Sequence, residues 1–143
     1  MDSTTPFAAL PATYRKALKT WRPVILYFTN KDCPACELAG PIFRQTAEPY
    51  RHRANIYMLN TRECPRHPQV SGTPTVLFFQ NGKLVKKLKG IGTEETLARD
   101  FAEHIGKTKA PVAVRKQTHD LPWLRHTLRT LRTVARARLR SQC

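Results

Sequence analysis

The sequence predicts an α/β domain, a central mixed sheet of about four strands with helices on both faces, and two observations carry that expectation. Residues 24–28 and 76–79 are apolar at every position, so both faces of those strands need cover. Asn81-Gly82 separates two strand-like runs, the strongest short signal for an antiparallel hairpin. The apolar periods of the intervening segments switch to helical spacing.

Taken in order, the pattern gives a helix over residues 12–20 and a strand over 24–29. A second helix covers 34–50, with an interruption expected near Pro41, because a proline removes a helical N–H and crowds the preceding turn. A second buried strand covers 55–60, and residues 61–70 read as irregular. Strands over 76–80 and 84–89 flank the turn Asn81-Gly82-Lys83. Gly90-Ile91-Gly92 then leads to Thr93, an N-cap candidate, followed by Glu94 and Glu95 in a first turn and by Leu97, Phe101 and Ile105 at helical spacing.

The chain has 143 residues, 41% of them apolar, which suits one domain with a real core. No apolar run is long enough to cross a membrane, and residues 1–10 lack a basic segment followed by an apolar one, so a cytoplasmic location is expected. Four cysteines are too few and too unevenly spaced for a disulfide scaffold. The domain is expected over residues 1–106, a linker containing Pro111 over 107–120, and a basic helix over 121–143.

Chemistry concentrates where the first strand delivers Cys33-Pro34-Ala35-Cys36 onto the start of a helix. Unpaired backbone N–H groups there favour an anion, so the Cys33 thiol is expected below its usual range. Cys36, one helical turn later, can attack a mixed disulfide formed at Cys33. Further along, Ser71-Gly72-Thr73-Pro74-Thr75 precedes the hairpin. Together these motifs, with Pro41 five residues after the second cysteine, resemble the thioredoxin family over roughly residues 11–106.

That resemblance implies a thiol:disulfide oxidoreductase with Cys33 and Cys36 as its catalytic pair, and a cis peptide between Thr73 and Pro74 beside them. Thr73, Pro74 and Gly90 would shape the groove for an extended substrate chain. Gly92 is the alternative to Gly90. The edge strand that opens the full family fold is expected to be missing. No cofactor is needed; protein disulfides would be substrates, and thioredoxin reductase or glutathione the electron donor. Departures from the family pattern mark the tuning residues. Asp32 stands where an aromatic residue usually precedes the first cysteine, and it opposes the thiolate that Lys31 favours. Tyr27 stands six residues before Cys33, where thioredoxins proper carry a buried acid. Pro34-Ala35 differs from Gly-Pro and resembles the proline-first motifs of glutaredoxins and periplasmic oxidants, which predicts a different redox poise.

Two other classes compete. Cys64-Pro65-Arg66-His67 is a second pair with zinc-like spacing, so Cys33, Cys36, Cys64 and His67 could hold zinc or an iron–sulfur cluster. A redox-inactive scaffold would tolerate loss of both thiols. Cys64 is also a candidate auxiliary thiol against a bystander, while the five histidines read as surface residues in polar contexts.

Charge is lopsided: of the net +15, residues 107–143 contribute +9, with ten basic residues against Asp120. Leu121, Leu124, Leu128, Leu131, Ala135 and Leu139 share one helical face, with Arg125, Arg129, Arg132, Arg136 and Arg140 beside it. Such a helix could pack on the domain or on another copy, lie on an anionic membrane surface with Trp123 as anchor, or meet an acidic partner or nucleic acid. No base-reading motif is present, so sequence-specific nucleic-acid binding is not expected. Cys143 reads as a bystander.

Overall fold

The computed structural model describes residues 6–106; the expected linker and basic helix lie outside them. After a 3₁₀ turn at Phe7–Ala9, the elements run α1 (Ala12–Leu18), β1 (Val24–Thr29), α2 (Pro34–Ala47), a 3₁₀ turn at Glu48–Tyr50, β2 (Asn55–Asn60), β3 (Thr75–Gln80), β4 (Lys83–Lys89) and α3 (Glu94–Ile105). The sheet has four strands in the order β2-β1-β3-β4. β1 is parallel to β2 and antiparallel to β3, and β3 is antiparallel to β4. This is the predicted mixed sheet, with the expected strand boundaries moved by a residue at most.

Alternation along β1 and β3 divides the core in two, because successive side chains leave a strand on opposite faces. Ile25, Tyr27, Val76 and Phe78 meet Phe43 and Ala47 of α2 and Leu97 and Phe101 of α3. Val24, Leu26, Phe28, Leu77 and Phe79 meet Leu10, Tyr14 and Leu18 at the other face. Phe101 anchors the first cluster, with ring centroids 5.8 Å from Phe43, 5.1 Å from Tyr50 and 5.3 Å from Phe78.

Two expectations change. Helix α2 runs through Pro41 without a break, passing into the 3₁₀ turn only after Ala47. The lost N–H at an exposed position is tolerated because Ala39, Gly40 and Phe43 on the other side stay packed. β2 is a half-buried edge strand rather than a buried one, with only Leu59 fully covered, since no strand among the described residues pairs beyond it. The opposite edge, β4, is rich in lysine, which blunts unpaired pairing groups.

The hairpin follows its turn chemistry. Asn81 and Gly82 both have positive φ, 50° and 74°, as a two-residue turn of matching twist requires. Lys83 opens β4 rather than closing the turn. Thr93 caps α3, its hydroxyl accepting from the Thr96 N–H at 3.2 Å.

Removing the Phe101 ring leaves a void among three aromatic neighbours, so Phe101→Ala should cost roughly 3–5 kcal/mol in urea unfolding, against about 1 kcal/mol for loss of the cap in Thr93→Ala. Equal effects would contradict this account of the core.

Candidate active site

Strand pairing gathers three connections at one end of the sheet, the one between β2 and β3 by both of its ends. The antiparallel register Phe28↔Thr75 sets the segment after β1 beside the one before β3. The parallel register Thr29↔Asn60 brings the segment after β2 to the same end. Thr75↔Lys89 adds the segment after β4, where the Gly90 N–H donates to the Pro74 carbonyl at 2.7 Å. The Thr73–Pro74 peptide is cis, as the resemblance implied, and the Thr75 hydroxyl holds the loop by donating to the Gly72 carbonyl at 2.7 Å. Gly90 has φ 79°, and a Cβ there would meet nothing within 4 Å, so its backbone conformation rather than crowding within the chain calls for glycine.

Cys33 is the N-cap of α2 and Pro34 its first residue, the position where a missing N–H costs least. The Cys33 Sγ accepts from the Cys36 N–H at 3.2 Å and lies 3.5 Å from the Thr73 carbonyl oxygen. The two cysteines form a disulfide with Cα atoms 5.2 Å apart. Cys33 is half-buried, while Cys36 turns into the core at 5% exposure. A carbonyl oxygen near Sγ can accept from the thiol, and a helical N–H can hold the thiolate, so both protonation states have a partner.

The flanking charges are matched from the loop after β2. Arg62 pairs with Asp32, and Lys31 pairs with Glu63 at 3.6 Å. Both pairs are exposed and contribute little to stability, but each softens the charge that its partner presents to Cys33. Asp32 is further held by its own N–H donating to the Asn30 side-chain oxygen at 3.2 Å. Pro34 and Ala35 are exposed at the helix start. Tyr27 is fully buried and stacks on Phe43 at 4.4 Å, with its hydroxyl pushed above the usual tyrosine range mainly by burial, against opposing influences from Thr29 and Arg44. A group held protonated in that way cannot replace the family's acid as a base at neutral pH.

The second cysteine–histidine pair takes no part in a four-ligand centre. Cys33 and Cys36 bond each other, and Cys64 sits in the α1-side core with Leu59 and Phe28. Among the described residues only Asp100, Glu103 and His104 bring three ligand atoms together, on α3. Contrary to the surface expectation, His67 is 2% exposed. Its ring packs edge-on to Tyr14 at 4.9 Å and lies near Phe28 and Phe79, because the connection between β2 and β3 folds inward over the sheet. The Tyr14 hydroxyl donates to the Pro65 carbonyl and fixes that fold. Burial, with Lys87 adding to it, pushes His67 down to about 4. One proline on either side of Arg66-His67 was the available hint of an inward-turned loop. His119 and His126 lie outside the described residues, as does Cys143.

A sulfur that another chain can reach, with a second sulfur bonded behind it, supports one kind of reaction: two-electron exchange with a disulfide. The domain is therefore a thiol:disulfide oxidoreductase. The thioredoxin family model matches residues 7–103. A thioredoxin of Chlorobaculum thiosulfatiphilum is 31% identical over 88 residues, covering 59% of this chain and 82% of that one. The chloroplastic thioredoxin M-type of Spinacia oleracea is 30% identical over 86 residues, covering 58% of this chain but only 48%, about half, of the relative. A solved thioredoxin of Malassezia sympodialis superposes with a TM-score of 0.57 at 21% identity, covering 64% of this chain and 82% of that one, which supports the fold. The chain belongs to the thioredoxin family. No helix among the described residues is long and apolar enough to cross a membrane.

Two outcomes follow. With a folded value of about 4 against the usual 6.5, His67 takes up a proton in the unfolded chain first, so its contribution is intact above pH 6.5 and is lost as pH falls toward 4. The loss should total roughly 3 kcal/mol in urea unfolding and be absent in His67→Phe; parallel pH profiles would refute it. Because Tyr27 stays protonated, Tyr27→Phe should leave the rate of the Cys36 attack within about twofold at pH 7, measured on a preformed mixed disulfide. A tenfold drop would assign Tyr27 a proton-transfer role.

Proposed function

We propose that Cys33 is the nucleophile and Cys36 the resolving thiol in the reduction of protein disulfides. The difference in their exposure carries this reading: Cys33 is half-buried at the helix start, Cys36 covered beneath it. In the reduced enzyme the Cys33 thiolate attacks one sulfur of the substrate disulfide; that S–S bond breaks, a Cys33 mixed disulfide forms, and the departing sulfur takes a proton from water. Cys36, deprotonated, then attacks the Cys33 sulfur, forming the Cys33–Cys36 bond and releasing the second substrate thiol. Two electrons pass to the substrate and the enzyme ends oxidised.

Thr73, Pro74 and Gly90 align the substrate backbone. The Thr73 carbonyl beside Cys33 and the Gly90–Pro74 hydrogen bond support this, since they fix the loop where an incoming strand would lie. Lys31, Asp32, Pro34 and Ala35 set the poise of the pair, with Tyr27 removing the buried base. Re-reduction is assigned to an external dithiol donor, thioredoxin reductase or glutathione, and the working compartment to the reducing cytoplasm, in keeping with the sparse cysteines. Cys64 stands as a core residue with no assigned turn in the cycle.

Cys33→Ser should abolish reduction of a protein disulfide, by at least about a thousandfold, whereas Cys36→Ser should accumulate a mixed disulfide at Cys33 that mass spectrometry detects. Trapping at Cys36 in the Cys33→Ser protein, with activity retained, would reverse the roles.

A further inference from the structure

Cys64 holds a second sulfur bond. Among the described residues no cysteine is free, and Cys64 is disulfide-bonded although Cys33 and Cys36 bond each other. The chain has four cysteines, and a sulfur in a disulfide takes one partner, which leaves one candidate within the chain. We propose that Cys64 and Cys143 form a second disulfide, which ties the C-terminal end of the chain to the connection that flanks Cys33. The pairing is independent of the disulfide-reduction reading.

The position of Cys64 suits a lasting bond. The Glu63 and Cys64 N–H groups both donate to the Asn60 carbonyl, each at 3.0 Å, and Asn60 lies opposite Thr29 in the sheet. That turn sets Cys64 directly after Arg62 and Glu63, whose side chains pair with Asp32 and Lys31. Cys64 is 8% exposed and packs with Leu59 and Phe28. A sulfur bond sheltered in this way resists thiols that reach an exposed one, so it persists where the half-buried Cys33 exchanges. Reach is no obstacle. With the expected basic helix formed, residues 107–143 still extend about 80 Å, more than twice the roughly 35 Å across a hundred-residue domain.

The loop that the bond closes, residues 64–143, takes in β3, β4 and α3. Closing it removes chain entropy from the unfolded state and so stabilises the domain. Formation is a two-electron exchange for which oxidised glutathione is a sufficient oxidant. The Cys143 thiolate attacks one glutathione sulfur, that S–S bond breaks, and the first glutathione leaves and takes a proton. The Cys64 thiolate then attacks the Cys143 sulfur and releases the second. The chain gives up two electrons and two protons, and the oxidant ends as two thiols.

The test uses the full chain and its Cys33→Ser/Cys36→Ser variant, in which Cys64 and Cys143 are the remaining cysteines, both oxidised with glutathione. After free thiols are blocked in denaturant, trypsin, which cuts after Arg62, Arg66 and Arg140, should release residues 63–66 joined to residues 141–143. Mass spectrometry should find that pair in both proteins, as monomers, and reductant should separate it. Cys143→Ser should leave one blockable thiol, at Cys64, and lower the thermal midpoint by about 5 °C or more relative to the oxidised wild type. Blocked Cys64 and Cys143 in the oxidised variant, Cys64 joined to Cys33 or Cys36 in the wild type, or a covalent dimer would overturn the pairing. A midpoint unchanged in Cys143→Ser would overturn the stabilising tether even with the joined peptides present.

Discussion

The double pairing of β1 is the constraint on which the rest depends. Parallel to β2 on one side and antiparallel to β3 on the other, it ends where the segments after β2 and before β3 also lie. Cys33 comes from one stretch and Arg62, His67 and Thr73 from another, the β2–β3 connection, and the two meet because of those registers. A slip of one residue would exchange Tyr27 and Phe28 between the two cores and turn every strand side chain to the wrong face.

The registers are held by burial on both sides rather than by hydrogen bonds alone. Aromatic rings fill the α2–α3 side, with Tyr27, Phe43, Phe78 and Phe101 all essentially inaccessible to solvent. The α1 side is closed by Tyr14, Phe28, Phe79 and the inward-turned His67. Packing of this kind leaves Tyr27 without solvent exposure, and the place of the family's buried acid is here part of the hydrophobic core. Tyr27 therefore offers no base beneath Cys36, and the charges beside Cys33 are the two exposed ion pairs.

Local chemistry made most of the fold legible. Asn81-Gly82 needs positive φ at two adjacent residues and few other dipeptides supply it. Thr93 before two glutamates fixes the start of α3, and Pro34 after Cys33 fixes the start of α2. The same reasoning misjudged Pro41 and β2. A proline's local cost was outweighed by the packed side of α2, and the exposure of β2 depends on whether another strand pairs beyond it, which no property of residues 55–60 states.

The bonded pair Cys33 and Cys36 was visible in the sequence because a Cys-x-x-Cys at a strand-to-helix junction sets its two sulfurs one helical turn apart. The sequence alone determined the dithiol, the cis-proline loop motif, the hairpin and the α/β order. Tertiary structure decided which cysteine is covered, that Cys64 and His67 do not join the pair, and that His67 is a buried neutral ring. Burial depends on contacts between segments far apart in the chain. Spacing constrains only neighbours within a turn or a strand.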